Sequence, residues 1–263
     1  MILHDFIEVF EKEVPCSMQE SWDNCGLQVG DPNVEVAAAL LCLDVSENVI
    51  DEAIEKNCQL IVSHHPLLFS GLKTIQGQNS VERCVIKAIK NNIAIYSAHT
   101  NLDNWYWGVN WHLAQKLQLE NCQILQTQSY DFDGNAVGSG YIGELDRSVD
   151  EVVFLQKIKT EFKLSTLRHT DLLGKPIKKV AICGGSGSFL TQEAIRQGAD
   201  ILISGDFKYH DFFLAENKIV IADIGHYESE IHTKEIFFEL ISKKIPTFAA
   251  YLSEKDESPI NYL

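Results

Sequence analysis

The sequence lacks any long apolar run. No stretch of the 263 residues approaches the roughly 20 consecutive apolar residues that a membrane-spanning helix needs. The first residues, MILHDFIEVFEKEV, carry acids where a secretory signal peptide has a basic start and an apolar stretch. We therefore expect a cytoplasmic protein. Because 45% of the residues are hydrophobic, the chain can bury one large core or two modest ones.

Paired cysteines are also absent. The seven cysteines are scattered, odd in number and include no C-x-x-C pair, which argues against a disulfide framework and against a thiolate zinc site. Several lie among apolar neighbours, as Cys42 does in ALLCLDV, where cysteine acts as a small core residue. We expect the cysteines to be structural.

Positive charge is scarce. The chain has 22 lysines and arginines against 37 aspartates and glutamates, which gives a net charge of −15. Non-specific nucleic-acid binding depends on cationic side chains that displace counterions from phosphate. An extended nucleic-acid interface is therefore not expected, whereas a local pocket for one nucleotide is compatible with this charge.

An internal repeat is present. Residues 52–65 read EAIEKNCQLIVSHH, and residues 193–206, which lie 141 positions later, read EAIRQGADILISGD. The upstream segments LLCLDVSEN and AICGGSGSF align at the same offset and place Cys42 over Cys183. A gap-free repeat of this kind predicts two copies of one supersecondary unit.

Each copy alternates continuous apolar runs with a helix-like segment. Such a pattern is typical of α/β proteins whose strands are buried on both faces. A third apolar run follows in both copies, NIAIYSAHTNLD in the first and KIVIADIGHYESE in the second. We therefore predict two similar α/β halves, residues 1–127 and 128–263, with mostly parallel or mixed sheets.

The second half opens with two further local patterns. The segment YDFDGNAVGSGYIGELDRS has turn formers at Asp133 and Gly134, which predict a hairpin. The segment EVVFLQKIKTEF places Val152, Leu155, Ile158 and Phe162 at helical spacing, which predicts an amphipathic helix.

Histidines and carboxylates follow three of the predicted strands. In open α/β sheets the reactive residues collect at the carboxyl ends of the strands, because those ends open into a crevice. Imidazole and carboxylate without thiolate form a ligand set for zinc, manganese or iron. The candidate metal ligands selected in this way are His64, His65, Asp103, His226 and Glu230. A lone histidine at a strand end is more often structural, so the pattern alone leaves both interpretations open.

Three other features are weaker candidates. The Gly-rich segment 184–188 follows a strand and precedes a helix, as a phosphate loop does, but a tight turn explains it about as well. His210, with Lys208 and Asp206 nearby, follows another strand and could line the same crevice. Trp105 and Trp107 could form a wall for a base, although aromatic residues near a helix start are more often core.

The same residues carry a family resemblance over nearly the whole chain. The matching segments are SWDNCGLQVGD (21–31), SHHPLLF (63–69), YSAHTNLD (96–103), KKVAICGGSGS (178–188), GADILISGDFKYHD (198–211) and GHYESE (225–230). In this order they resemble the signatures of the Nif-three-like family, many of whose bacterial members are named GTP cyclohydrolase I type 2 homologues. This chain resembles the compact form, without the domain that longer members carry in the middle.

The resemblance implies a dinuclear metal centre, a ring-shaped homohexamer and two similar α/β domains. The equivalents of His64, His65, Asp103, His226 and Glu230 are the implied metal ligands. Since these residues come from both predicted halves, the metal site is expected between them. The metal ions would be iron, zinc or manganese.

Two classes of function follow as hypotheses. The first is a metal-dependent hydrolase that acts on a nucleotide or related purine compound, with His99 and Glu228 as candidates for proton transfer or for orienting ligands. The second is a metal-binding or protein-interaction ring scaffold without turnover. Neither a membrane nor an extended nucleic acid is an expected partner.

Overall fold

The computed structural model describes all 263 residues as a mixed α/β protein with two sheets. The helices are α1 (Leu3–Glu13), α2 (Glu47–Glu55), α3 (Ser80–Lys90), α4 (Thr100–Asn104), α5 (Val109–Lys116), α6 (Glu151–Glu161), α7 (Thr191–Arg196), α8 (His226–Glu230) and α9 (Thr233–Lys244). The strands are β1 (Gly26–Val29), β2 (Ala38–Cys42), β3 (Leu60–Ser63), β4 (Ala94–Ser97), β5 (Glu120–Tyr130), β6 (Ala136–Val149), β7 (Arg168–His169), β8 (Ile177–Ser186), β9 (Ile201–Gly205), β10 (Val220–Asp223) and β11 (Ala249–Leu252). None of the helices combines the length and the apolar character that crossing a membrane requires.

Polar side chains fix where the helices begin. Ser46 accepts a hydrogen bond from the amide of Val49 at the start of α2, and Asn79 accepts one from Glu82 at the start of α3. Asp150 does the same at the start of α6. Each cap satisfies an amide that has no partner within the first helical turn.

The first sheet has the strand order β1-β4-β3-β2-β11. Strands β2, β3, β4 and β11 run parallel, and β1 pairs with β4 in the antiparallel direction. Every residue of β2, β3 and β4 is buried, as expected of parallel strands covered on both faces. The carboxyl ends of these three strands therefore lie along one edge of the sheet.

The second sheet has the strand order β5-β6-β8-β9-β10-β7. Strands β8, β9 and β10 run parallel, while β5, β6 and β7 are antiparallel to their neighbours. The predicted hairpin is present as β5 and β6, with the turn closed by the backbone of Asp131 and Asn135. These three parallel strands repeat the arrangement of β2, β3 and β4 in the first sheet.

The repeat seen in the sequence extends to strand register. Ala39 of β2 pairs with Leu60 of β3, and Val180 of β8 pairs with Ile201 of β9. Each residue of the first pair lies 141 positions before its counterpart in the second pair, which is the offset of the sequence repeat. The two copies therefore share strand pairing as well as sequence pattern.

The chain groups into two compact units. The first unit comprises Met1–Leu102 and Ile231–Asn261, and the second comprises Asp103–Glu230 and Tyr262–Leu263. Strand β11 belongs to the first unit because it pairs in parallel with β2, and β5 belongs to the second because it pairs with β6. Local sequence patterns show that a segment is a strand, but they do not show which sheet it joins.

Helix α6 is present as predicted, and its buried face differs from the predicted one only at the start of the helix. Phe154, Leu155 and Ile158 are buried, whereas Val152 is 48% exposed. The run of apolar residues at the start of this helix permits more than one stripe at helical spacing. Packing within the second unit selects the stripe that contains Phe154.

Candidate metal centre

Three histidines meet at the carboxyl edge of the first sheet. His64 and His65 follow β3, and His99 follows the neighbouring strand β4. One ring nitrogen of each lies within 4.8 Å of the others, which is close enough for a shared ion. The rule that parallel strands end at one edge brings His99 to His64 and His65, which lie 35 and 34 residues earlier in the chain.

The rings of His64 and His65 are oriented by oxygen acceptors. The Nδ1 atom of His64 donates to the carbonyl oxygen of Ala98 at 2.9 Å, and that of His65 donates to the carboxylate of Asp44 at 2.8 Å. A histidine held through Nδ1–H presents Nε2 as its metal-binding nitrogen, and the acceptor also increases its basicity. The first unit therefore holds these two rings in the form that a metal ligand requires.

His99 is held by a buried carboxylate. Its Nδ1 atom lies 2.8 Å from Oδ1 of Asp23, whose side chain is fully buried. Thr100 donates both its amide and its hydroxyl to Oδ2 of Asp23. Burial raises the pKa of Asp23, but the hydrogen bonds from His99 and Thr100 outweigh burial and hold that pKa well below its usual range. Asp23 is therefore a charged, fixed acceptor for His99.

In the second unit, His226 lies between two carboxylates. Its Nδ1 atom is 2.8 Å from Asp206, and its Nε2 atom is 2.8 Å from Glu230 one helical turn further along α8. Burial lowers the pKa of His226, but the hydrogen bonds with Asp206 and Glu230 outweigh burial and raise it to about 11. This part of the second unit thus has a surplus of negative charge that favours a cation.

Glycine allows the backbone to approach Glu230 closely. A Cβ atom on Gly185 would lie 3.1 Å from Cδ of Glu230 and closer still to its Oε1 atom. Gly185 has a φ of 58°, in the left-handed region that favours glycine. The end of β8 therefore forms a close cradle for the Glu230 carboxylate.

Asp103 is tied to the same strand end within the second unit. Asn110 donates to the carbonyl oxygen of Asp103 at 3.0 Å and accepts from the amide of Gly184 at 2.9 Å. Burial raises the pKa of the Cys183 thiol, and the negative charges of Asp103 and Glu230 raise it further. The second unit therefore brings both predicted carboxylate ligands to the end of β8.

Glu228 is directed differently from the candidate ligands. It lies two residues from His226 and from Glu230 in α8, and helix residues two apart do not share a face. Its carboxylate lies against Gly225, where an added Cβ atom would meet it. Of the two predicted proton-transfer residues, His99 is thus the one that the structure joins to a cluster of possible metal ligands.

The donor set fits divalent metal ions. Four imidazoles, those of His64, His65, His99 and His226, have Nδ1 held by an oxygen atom. Histidine and carboxylate donors without thiolate suit zinc, iron and manganese. All seven cysteines are free, and Cys183, the thiol nearest in sequence to the Gly184–Gly185 cradle, is buried in the core.

The Gly-rich segment 184–188 has a structural explanation. A Cβ atom on Gly187 would collide with Ser204, and one on Gly184 would lie 2.9 Å from Cγ1 of Val109. The glycines thus permit close packing at the end of β8. His210 belongs to a short 3-10 helix (Tyr209–Ala215) with its ring near Tyr209 and Phe213.

Comparison with known proteins gives the family of the chain. The Duf34/NIF3 (NGG1p interacting factor 3) family matches residues 1–259. A protein of Clostridium perfringens named GTP cyclohydrolase 1 type 2 homolog is 34% identical over 267 residues, which cover all of both chains. The chain belongs to the Duf34/NIF3 family.

Solved structures of family members have the same fold. A hypothetical protein of Staphylococcus aureus is 29% identical, with a TM-score of 0.92 over 100% of this chain and 99% of that one. A Bacillus cereus protein related to NIF3 superposes with a TM-score of 0.91 over 99% of each chain at 24% identity. The predicted α/β fold and the predicted family membership are both confirmed.

Sequence reasoning missed the carboxylates that orient the histidines. Asp44 follows β2 and Asp23 lies in the turn before β1, and neither was selected as a site residue. Asp44 satisfies the rule used for the other candidates, because it lies beyond the carboxyl end of a parallel strand. Asp23 carries no such signal, since only the tertiary fold brings it to His99.

Proposed function

We propose that this NIF3 family member is a metal-dependent hydrolase that acts on a nucleotide or a related purine compound. The proposed ligands of two divalent ions are His64, His65, Asp103, His226 and Glu230. The observation that carries the proposal is the grouping of His64, His65 and His99 within 4.8 Å. The name of the Clostridium perfringens relative supports a nucleotide substrate.

The orientation of the rings supports a metal-binding role. A structural histidine needs one satisfied nitrogen, whereas His64, His65 and His99 each have Nδ1 held and also each offer a ring nitrogen within 4.8 Å of the others. A divalent ion is bound by imidazoles that an acceptor orients through their other ring nitrogen in this way. When bound, such ions lower the pKa of a coordinated water and supply hydroxide near neutral pH.

His99 is the proposed proton carrier. Asp23 fixes its Nδ1–H, so that Nε2 is the atom at which a proton would be accepted or donated. The buried Asp23 carboxylate also stabilises the imidazolium that forms when Nε2 takes a proton. His99 would thus act on a substrate atom close to His64 and His65, to whose rings its own ring is 5.3 and 5.5 Å distant.

The test is a combined metal and substrate assay on the full chain. Protein reconstituted separately with iron, manganese and zinc is screened against purine nucleotides, and metal content is measured by mass spectrometry. We expect His64→Ala and His226→Ala to lose metal and activity, while His4→Ala, which changes an exposed histidine of α1, retains both. Unchanged metal content in both site variants would refute the ligand assignment.

A blank in the substrate screen would have a different meaning. Metal-loaded protein that binds two ions but converts no nucleotide would favour the alternative, a ring scaffold or metal carrier without turnover. The mass of the particle in solution then becomes the relevant measurement, because a ring scaffold requires a closed oligomer such as the hexamer implied by the family resemblance.

A further inference from the structure

Two large aromatic side chains are exposed beside the histidine cluster. Trp22 is 57% exposed and Phe69 is 54% exposed, and their ring centroids lie 5.8 Å apart at an angle of 52°. Scattered exposed apolar residues need no explanation, but two large rings in mutual contact form a patch. We name this pair the aromatic wall.

The aromatic wall is held by its own hydrogen-bond network. Asn24, two residues after Trp22, donates from Nδ2 to the carbonyl oxygen of Leu68 at 2.7 Å. Gln28 accepts from the amide of Leu68 at 3.2 Å and donates to the carbonyl oxygen of Asn24 at 2.7 Å. The two segments that carry the rings are therefore fastened to each other. Such preorganisation lowers the entropy cost of binding a ligand.

The wall directly adjoins His99. The ring of Trp22 lies 6.1 Å from that of His99, and the ring of Phe69 lies 6.4 Å from it, both in edge-to-face arrangements. The same short segments carry the polar groups, since Asp23 follows Trp22 and Phe69 lies four residues after His65. The polar cluster and the apolar surface are thus built together.

We propose that Trp22 and Phe69 bind the planar heteroaromatic ring of the substrate by stacking, next to His99. This assignment rests on the proposed function and names the part of the substrate that the first unit recognises. Because the two rings touch at an angle, they form a wall and not a slot. The substrate ring stacks on an exposed face, with its nitrogen or carbonyl atoms towards His99.

The chemistry of the wall favours a base over an aliphatic chain. Aromatic side chains stack on any nucleobase, because every base offers a π face. The adjacent imidazole supplies a polar edge that an aliphatic ligand would leave unused, whereas a purine ring carries hydrogen-bonding atoms on its perimeter. The wall supplies no cation for a phosphate. The expected contribution is therefore to recognition of the ring alone.

The experiment compares the binding of GTP and of inorganic triphosphate by calorimetry. Both probes carry the triphosphate, and only GTP carries the base. We expect wild-type protein to bind GTP more tightly than triphosphate, and Trp22→Leu and Phe69→Leu each to weaken GTP binding by about tenfold. Triphosphate affinity should not change. The control is Phe132→Leu, which removes a fully exposed aromatic side chain from the turn between β5 and β6.

Further measurements separate stacking from other roles. Trp22→Phe keeps a stacking face and should retain most of the GTP affinity, so it carries the test if Trp22→Leu does not fold. Equal wild-type affinity for the two probes, or GTP affinity unchanged in both leucine variants, would overturn the proposal. So would a change in particle mass in these variants, since the wall would then contact a second copy of the chain. Binding without turnover would remove the hydrolase proposal and leave the wall intact.

Discussion

Replacement of Gly185 by alanine tests the position of Glu230 without removing a proposed ligand. The added Cβ atom would lie 3.1 Å from Cδ of Glu230 and 3.4 Å from Cε1 of His226, and closer to the Oε1 atom. Real Cβ atoms do not come as close to another atom as this one would come to Oε1, so the carboxylate of Glu230 must move. Glu230 is only 3% exposed and has little space in which to do so.

The substitution should lower both the stability of the fold and the affinity for metal. Gly185 has a φ of 58°, and an alanine in the left-handed region costs roughly 1–2 kcal/mol. Metal–ligand distances tolerate only about 0.2 Å of error, and disturbing the groups around a ligand lowers metal affinity by about 10- to 100-fold. We therefore expect both a less stable protein and a weaker metal site.

Gly198→Ala separates the two costs. Gly198 also has a positive φ, 75°, but an added Cβ atom would meet nothing within 4 Å. Urea unfolding should show a similar loss of stability in both variants, whereas competition with a chelator should show weaker metal binding only in Gly185→Ala. Equal metal affinity in the two variants would refute the assignment of Glu230 as a ligand held by the end of β8.

Two further predictions concern carboxylates of the first unit. Asp44→Asn should lower metal affinity by about tenfold in a chelator competition, because it weakens the acceptor that orients His65. The control Asp51→Asn, on the surface, should leave metal affinity unchanged. Equal effects of the two substitutions would contradict a role of Asp44 in orienting His65. Glu52 is buried, which raises its pKa, but hydrogen bonds including that from Ser253 at 2.6 Å lower the pKa overall. Glu52→Gln should therefore lower the free energy of unfolding by about 1–3 kcal/mol at pH 7. Because the pKa of Glu52 is depressed in the folded state, this difference between the variants should shrink as the pH falls below about 4. Denaturant unfolding at both pH values measures it, and a difference independent of pH would be evidence against a charged Glu52.

The architecture around the site follows from patterns that the sequence carries locally. Continuous apolar runs predicted β3, β4 and β10, and the residues after them were selected because parallel strands end at one edge. His64, His65 and His99 are close for this reason, although His99 comes from a different strand. The physical basis is strong, since burial on both faces requires an unbroken apolar run.

Long-range pairing was beyond such patterns. Strand β11 joins the first sheet beside β2, although about 200 residues separate the two strands in the chain. The contact between Asp23 and His99 likewise depends on where the turn before β1 is placed. Neither has a periodic signature, because the alternation of side chains within a segment contains no information about the segment's partner.

The two units use the repeated strand ends in opposite ways. At the offset of the repeat, His65 after β3 corresponds to Asp206 after β9. His65 donates from Nδ1 to a carboxylate that follows the neighbouring strand β2, at 2.8 Å. Asp206 instead accepts from Nδ1 of His226, which follows the neighbouring strand β10, also at 2.8 Å. At these repeated strand ends, each unit therefore has a histidine–carboxylate pair, with the two roles exchanged between positions.

This exchange explains what the internal comparison could and could not detect. Strand register and helix packing require the same residue types in both copies, so Glu-Ala-Ile and the apolar runs recur in sequence. A hydrogen-bonded pair requires only that donor and acceptor face each other across two strand ends, whichever strand carries the histidine. The two copies thus share a histidine–carboxylate hydrogen bond at the same place in the fold, although the residues at the matching positions differ. A search for metal sites in duplicated α/β proteins should accordingly compare strand ends for complementary side chains and not for identical ones.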